Sequence, residues 1–360
     1  MLYEEVILME KDTFYMNLAL EEAKKGRYQT WKNPMVGAVI VKNGQVLATG
    51  YHHHYGQNHA ERDAISKLTP EQLFNSTLYV TLEPCNHYGK QPPCSDLIIK
   101  SGIKRVVVGQ IDPHKLVTGK GIAQLQKNGI QVTTGVLADD ASKLNKFYSY
   151  FYQYGFPWIT VKEATSLDNK VAMRGQRTPI TNQAVYQKVH SERADYQAIM
   201  IGSSTAIIDD PILRTNVKSD YPPIRIIIDR RGRLLNHLRL RLLSDTNPTW
   251  IFTQNKQMSK NNFTNSKIKI IHLATNKIQE VFDYLSTKEI QSVYVEGGPT
   301  LEKAIMNEIF VNEVIKYTAP IFLGDEGVTG LVPNETVPLT NVKKTAFGNN
   351  ERIAGELKHV

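Results

Sequence analysis

At 360 residues, with 41% hydrophobic and 22% charged, the chain is too long for one ordinary core and too apolar to be disordered. Its longest apolar runs, such as Met35–Val41, are too short to span a bilayer, and Glu4, Glu5 and Glu10 replace the basic-then-apolar layout of a signal peptide. A cytoplasmic chain with no membrane partner is expected. The net charge of +8 favours anionic partners, either nucleic acid or small phosphorylated substrates and dinucleotides. Lys and Arg are scattered except for Arg230, Arg231 and Arg233 through Arg241, as on a solvated surface, and charge alone does not decide between them. Homo-oligomerisation stays open.

In chain order, residues 11–26 predict a helix with an apolar face of Phe14, Leu18, Leu20 and Ala23, ended by Gly26. Met35–Lys42 and Leu47–Tyr51 predict strands joined by the Asn43-Gly44 turn. A helix over Ala60–Leu68, a strand over Ser76–Leu82 and a helix over Ser95–Ser101 follow. Arg105–Gln110 and Ile130–Val136 predict strands around a helix at Ile122–Asn128, and residues 139–150 a closing helix. Strands separated by helices point to a three-layer α/β domain over 1–150, with a break at Gly155-Phe156-Pro157. Beyond it, residues 151–360 predict strands at Trp158–Glu163, Ala198–Gly202, Ile224–Asp229, Trp250–Thr253, Ile268–His272, Ser292–Glu296, Val314–Tyr317 and Ile353–His359. Helices fall at Asn182–Arg193, Lys277–Thr287 and Thr300–Ile309, giving a second α/β domain.

The chain has two cysteines, Cys85 and Cys94, each preceded by proline, with His59-Ala60-Glu61 upstream. With no export signal, metal ligation explains them better than a disulfide. One imidazole and two thiolates would hold Zn²⁺ and leave a position for water, while a carboxylate that is not a ligand moves protons. Zinc deaminases carry H-x-E followed by P-C-x-x-C, and here eight residues separate the cysteines. A structural zinc site is the alternative. It requires a fourth ligand from His52, His53, His54, His87 or Glu61.

Asn33-Pro34-Met35-Val36-Gly37, His59-Ala60-Glu61, the stretch Thr81–Cys94, and Asp112-Pro113 with Gly119-Lys120-Gly121 resemble one family. It is the bifunctional diaminohydroxyphosphoribosylaminopyrimidine deaminase and 5-amino-6-(5-phosphoribosylamino)uracil reductase of riboflavin synthesis, whose own pattern includes the wide cysteine spacing. The resemblance implies a cytidine-deaminase-like first domain with zinc on His59, Cys85 and Cys94 and Glu61 as proton shuttle. It also implies that Asn33 and His87 orient the pyrimidine and that Lys120 meets the ribose phosphate of a phosphoribosyl pyrimidine substrate.

In the second half no G-x-G-x-x-G follows a strand, but Val295-Glu296-Gly297-Gly298-Pro299-Thr300 runs from a strand into a helix, where glycines and free N–H groups suit a phosphate. Lys162–Ala172, Gly202–Pro211, Pro223–Asp229 and this turn resemble the family's reductase motifs. The resemblance implies a dihydrofolate-reductase-like fold that binds NADPH. Ala164, Pro179, Thr205, Asp209 and the loop of Gly298, Pro299, Thr300, Leu301, Glu302, Lys303 and Ala304 would contact the cofactor. Leu213 and Glu296 would contact the substrate, with Arg177 and Asn216 near its phosphate.

Three positions depart from the family pattern: Asn169 stands for Gly, Pro179 for Trp and Asn216 for Arg. Loss of a flat aromatic and of a guanidinium predicts relaxed binding, with Arg177 and Arg214 close enough in sequence to compensate. Two other readings are a deaminase whose second half only scaffolds, and a zinc-containing nucleic-acid-binding or editing protein. The latter predicts an affinity that falls steeply with salt.

Overall fold

The computed structural model describes residues 2–88, 91–115 and 117–358. Internal contacts divide the chain into two compact units, Met1–Gly155 and Phe156–Val360. Gly155, at φ 72°, ends the last helix of the first unit in the left-handed conformation glycine favours.

The first unit has strands β1 (Gly37–Lys42), β2 (Gln45–Tyr51), β3 (Thr77–Leu82), β4 (Arg105–Gln110) and β5 (Gln131–Thr134). They form one sheet in the order β2-β1-β3-β4-β5, antiparallel across the first two pairings and parallel across the last two. Side chains alternate as the pleat requires. Ala38, Ile40, Leu78, Val80, Val106 and Val108 face α2 (Ala60–Ile65), α4 (Cys94–Ser101) and α5 (Lys120–Lys127), while Val39, Val41, Tyr79 and Val107 face α1 (Leu2–Lys24). The short α3 (Pro70–Leu73) joins α2 to β3. Three layers result, as expected.

Two expectations are corrected here. The buried stripe of α1 is Asp12, Tyr15, Met16, Ala19, Leu20 and Ala23, whereas Phe14 is exposed. A carboxylate can lie in that stripe because Arg105 donates to both its oxygens at 2.8 and 2.6 Å and Tyr79 donates at 2.9 Å. The single helix over 139–150 is instead two helices, α6 (Ala138–Leu144) and α7 (Lys146–Tyr154). Between them Asn145 leaves the helix and clips the Met35 backbone, accepting from its N–H and donating to its carbonyl, both at 2.8 Å.

The second unit is built on β6 (Trp158–Thr165), β8 (Ala198–Gly202), β9 (Ile224–Ile228), β10 (Thr249–Thr253), β11 (Ile268–His272), β12 (Ser292–Val295), β13 (Glu313–Thr318), β15 (Leu339–Phe347) and β16 (Asn350–Leu357). The order is β11-β10-β9-β8-β12-β6-β13-β16-β15, parallel as far as β13 and antiparallel beyond it. One face buries Ile159, Val161, Met200, Ile226 and Val293 under α11 (Gln279–Thr287) and α12 (Pro299–Glu308). The other buries Ile199, Ile201, Ile227 and Ile251 under α9 (Ser203–Asp209), α10 (Arg241–Ser244) and the 233–236 turn. α8 (Gln183–Arg193) is capped by Asn182, whose side chain accepts from Val185 N at 3.0 Å. A separate ribbon pairs β7 (Lys170–Met173) with β14 (Gly327–Thr329). The final strand ends at Leu357, and His359 lies outside the described residues.

Candidate functional site

In the first unit the site gathers at the ends of α2 and α4. A side chain at Gly50 on β2 would come within 2.4 Å of Ala60 O, so α2 lies directly on the strand and its start is fixed. His59 is the N-cap of α2, Glu61 sits in its first turn, and Cys94 opens α4. His59 Nδ1 is 3.6 Å from Cys85 Sγ and 3.5 Å from Cys94 Sγ, and all three atoms lie within 4.8 Å of one another. A tetrahedral centre with usual zinc bond lengths spaces an imidazole nitrogen and a thiolate roughly 3.5 Å apart, so the donor set fits zinc. The Cys94 N–H donates to Cys85 Sγ at 3.4 Å. Held against Cys94 and the His59 ring, the Cys85 thiol is drawn well down towards thiolate. Glu61 is 3% exposed beside this cluster, and burial, the strongest influence on it, pushes its carboxyl up.

Among the described residues no fourth ligand joins the three. His52 uses both ring nitrogens, Nδ1 on Asn58 O at 2.9 Å and Nε2 on Asn33 Nδ2 at 3.0 Å, and His53 bonds Asp63 at 3.2 Å. Burial, first of several influences, pushes the His52 ring down to about 4 and keeps it neutral. Nδ1 therefore carries the proton towards the carbonyl, Nε2 accepts, and Asn33 donates. His52 packs edge-on against His59 at 5.5 Å, which brings Asn33 to the cluster. His87 is exposed two residues after Cys85, and Lys120 is exposed at the first position of α5.

Sequence reasoning passed over Glu83. Its buried carboxylate accepts from the backbone N–H of Asp112 (3.3 Å), Gly119 (2.9 Å), Gly121 (3.0 Å) and Ile122 (3.3 Å). This ties the loop that carries Lys120 to the strand end that carries Cys85. Only glycine fits at 121, where a Cβ would lie 2.0 Å from Pro84 O. A carboxylate between a strand end and Pro-Cys was the available signal.

The second unit holds a cavity of about 810 Å³ over the ends of its parallel strands. Ala164, Pro179, Thr205, Asp209, Gly298, Pro299, Thr300, Leu301, Glu302, Ala304, Arg177, Leu213 and Glu296 line it. Lys303 and Asn216 are exposed and lie outside its wall. An added Cβ at Gly298 would meet nothing nearer than Thr205 Oγ1 at 3.5 Å, so the backbone there stays open to a phosphate at the start of α12. Glu296 is gripped by Arg193 at 2.5 and 2.8 Å, with Lys162 Nζ 3.7 Å away. Burial works against the Glu296 charge, but Arg193 and Lys162 outweigh it and hold the carboxylate down.

Arg230, Arg231, Arg233 and Arg241 also line this cavity. Most of the basic cluster of the sequence thus faces a concave site, while Arg239 lies outside it. These arginines, with Lys162 and Arg193, were not singled out as site residues, because neighbours along a chain do not say which wall they share. Asn169, at a position where the resemblance led to an expectation of glycine, sits at φ 56°, a conformation asparagine tolerates, and accepts from Lys316 Nζ at 2.6 Å. Pro179 stands exposed on the cavity wall. Pro179→Trp is expected to tighten NADPH binding about ten- to a hundredfold by adding aromatic surface, measured by calorimetric titration.

Comparison with known proteins finds a match in each unit. Residues 9–110 match the cytidine and deoxycytidylate deaminase zinc-binding region, and residues 157–351 match the RibD C-terminal domain. The chain is 39% identical over 330 residues to the riboflavin biosynthesis protein RibD of Bacillus amyloliquefaciens, covering 90% of this chain and 88% of that one. Against Escherichia coli RibD it is 36% identical over 332 residues, covering 88% and 89%. RibD of Acinetobacter baumannii superposes with a TM-score of 0.88 at 33% identity, covering 98% of this chain and all of that one. The deaminase/reductase of Thermotoga maritima gives 0.86 at 31%, covering 97% and 99%. A zinc-deaminase unit followed by an NADPH-reductase unit, matched along nearly the whole length of such relatives, places this chain in the RibD family of riboflavin biosynthesis proteins.

Proposed function

We propose that the chain catalyses two consecutive steps of riboflavin biosynthesis. Its first unit deaminates 2,5-diamino-6-(5-phosphoribosylamino)pyrimidin-4-one hydrolytically, and its second reduces the ribosyl chain of the product to ribityl. The observation that carries the first step is the His59, Cys85, Cys94 donor set with Glu61 buried beside it. Zinc, when bound, supplies the Lewis acidity that makes water nucleophilic at neutral pH. Glu61 moves the two protons of that water in turn, the first to the ring nitrogen and the second to the departing amine. Asn33, held by His52, orients the pyrimidine, His87 adds a further contact, and Lys120 meets the phosphate.

In the second unit NADPH supplies the hydride. The Gly298 to Ala304 loop, Ala164, Thr205 and Asp209 hold the cofactor, and Leu213, Arg177 and Glu296 align the substrate. Four of the clustered arginines, Arg230, Arg231, Arg233 and Arg241, line the cavity, which supports a small anionic partner. Among the described residues no helix is long and apolar enough to cross a membrane. A cytoplasmic location, without membrane or nucleic-acid partners, completes the proposal.

The test supplies the deaminase substrate with and without NADPH and identifies the products. Deaminated ribosyl compound without cofactor, and ribityl compound with it, are expected. Ammonia release with no NADPH oxidation would leave only the deaminase. Metal analysis should find one zinc per chain, lost in Cys85→Ser and Cys94→Ser together with deamination. Unchanged zinc in those variants would remove the ligand assignment.

A further inference from the structure

The reductase cavity contains two carboxyl groups whose charge the reaction as described does not use. Glu163 on β6 and Glu302 in the first turn of α12 both line it, yet they are only 6% and 1% exposed. Glu163 is anchored. Its Oε1 accepts from Leu331 N at 2.5 Å, Lys316 Nζ stands 3.7 Å from Oε2, and a Cβ at Gly330 would crowd Oε1 at 2.5 Å. Glu302 lacks such an anchor: among the described residues its buried Oε2 finds no donor, and its carboxyl lies against that of Glu163. Carboxyl groups in contact cannot both ionise, so the pair holds one proton and one negative charge. Burial, the largest influence on each, acts in the same direction. Lys316 of β13 and Lys162 of β6 also face the pair.

The cavity also has a direction of charge. β9, β8, β12 and β6 are successive neighbours, so Glu163 on β6 lies three strand spacings, roughly 14 Å, from the end of β9, with Glu302 beside it on the helix that follows β12. Arg230, Arg231 and Arg233, which follow β9, line the far side. A phosphorylated dinucleotide is permanently anionic along its phosphates, and its redox ring is neutral when reduced and cationic when oxidised. The arginines suit the phosphates, which leaves the β6 side for the ring.

We infer that the Glu163–Glu302 pair faces the nicotinamide and stabilises the positive charge the ring acquires as hydride leaves. This rests on the reductase reading above. In that step the C4–H bond of the dihydronicotinamide breaks, and its hydrogen and electron pair form the new C–H bond at C1′ of the substrate imine. The nitrogen takes a proton from water. A carboxylate fixed in a buried site acts on the developing cation without reorganising.

Calorimetric titration of NADPH and NADP⁺ onto the full-length protein tests this through the ratio of the two affinities. Glu163→Gln or Glu302→Gln alone should leave that ratio near the wild-type value, because the remaining carboxyl ionises. The double variant should weaken NADP⁺ relative to NADPH about tenfold. Lys316→Met, at a partly exposed position, should shift the ratio the other way. Equal effects on both cofactor forms, or no effect in both the double variant and Lys316→Met, would overturn the inference. If circular dichroism shows the double variant unfolded, Lys316→Met decides alone. Failure of the wild-type protein to bind either form would instead remove the reductase reading, and this inference with it.

Discussion

Glu61→Gln is expected to lower deamination by about two to four orders of magnitude while zinc content and the reductase stay intact. Glu61 lies in the first turn of α2, two residues after His59, so the metal ligand and the carboxyl leave the same helix start. Its side chain is buried against the thiol cluster rather than counted among the three donors. Glutamine preserves size and most packing but cannot accept and return a proton. A loss confined to turnover therefore separates proton transfer from metal binding. The assay pairs zinc analysis with ammonia release, and reduction of pre-deaminated substrate serves as an internal control because that site lies in another unit. Near-normal ammonia release would refute the role, and loss of zinc would make Glu61 a fourth ligand.

Arg225→Ala is expected to destabilise the second unit by about 3–5 kcal/mol, the usual cost of removing one partner of a buried pair. Arg225 sits near the start of β9 and is 1% exposed, among the largest fully buried side chains of the chain. Its guanidinium donates to Asp245 at 2.7 and 2.6 Å, to Thr249 Oγ1 at 3.0 and 2.6 Å, and to the carbonyls of Ile212, Leu242 and Asn247. Alanine leaves a cavity and strands several of these acceptors. Chemical denaturation followed by circular dichroism gives the change. A loss below about 1 kcal/mol would mean that water replaces the guanidinium. Deaminase activity at temperatures below the transition should be unaffected.

Where side chains alternate between a sheet face and its opposite, the sequence was readable. β3 and β4 each bury one set of residues on either side, and their apolar runs predicted them nearly to the residue. The exposed edge strand β15 carries Lys343 and Lys344 and lacks that signal, so it went unread. On α1 Leu20 and Ala23 face the core as read, but Phe14 does not, because the buried face at that turn takes Asp12, whose partners Tyr79 and Arg105 lie far along the chain. The same limit applied to the sites. His59, Glu61, Cys85 and Cys94 announce themselves by residue type and spacing. Arg193 on Glu296, His52 on Asn33 and Glu83 on the 112–122 loop act through contacts that only the folded chain creates.

The grip of Glu83 on that loop is made entirely through main-chain N–H groups. Such a clasp is indifferent to which side chains the loop bears, apart from the space it demands at Gly121. Substitution at Lys120 should therefore change what the loop offers to a ligand without changing where the loop sits. The position becomes an adjustable fitting on a fixed mount, through which variants could exchange a phosphate-bearing substrate for an uncharged one while the metal cluster stays as it is.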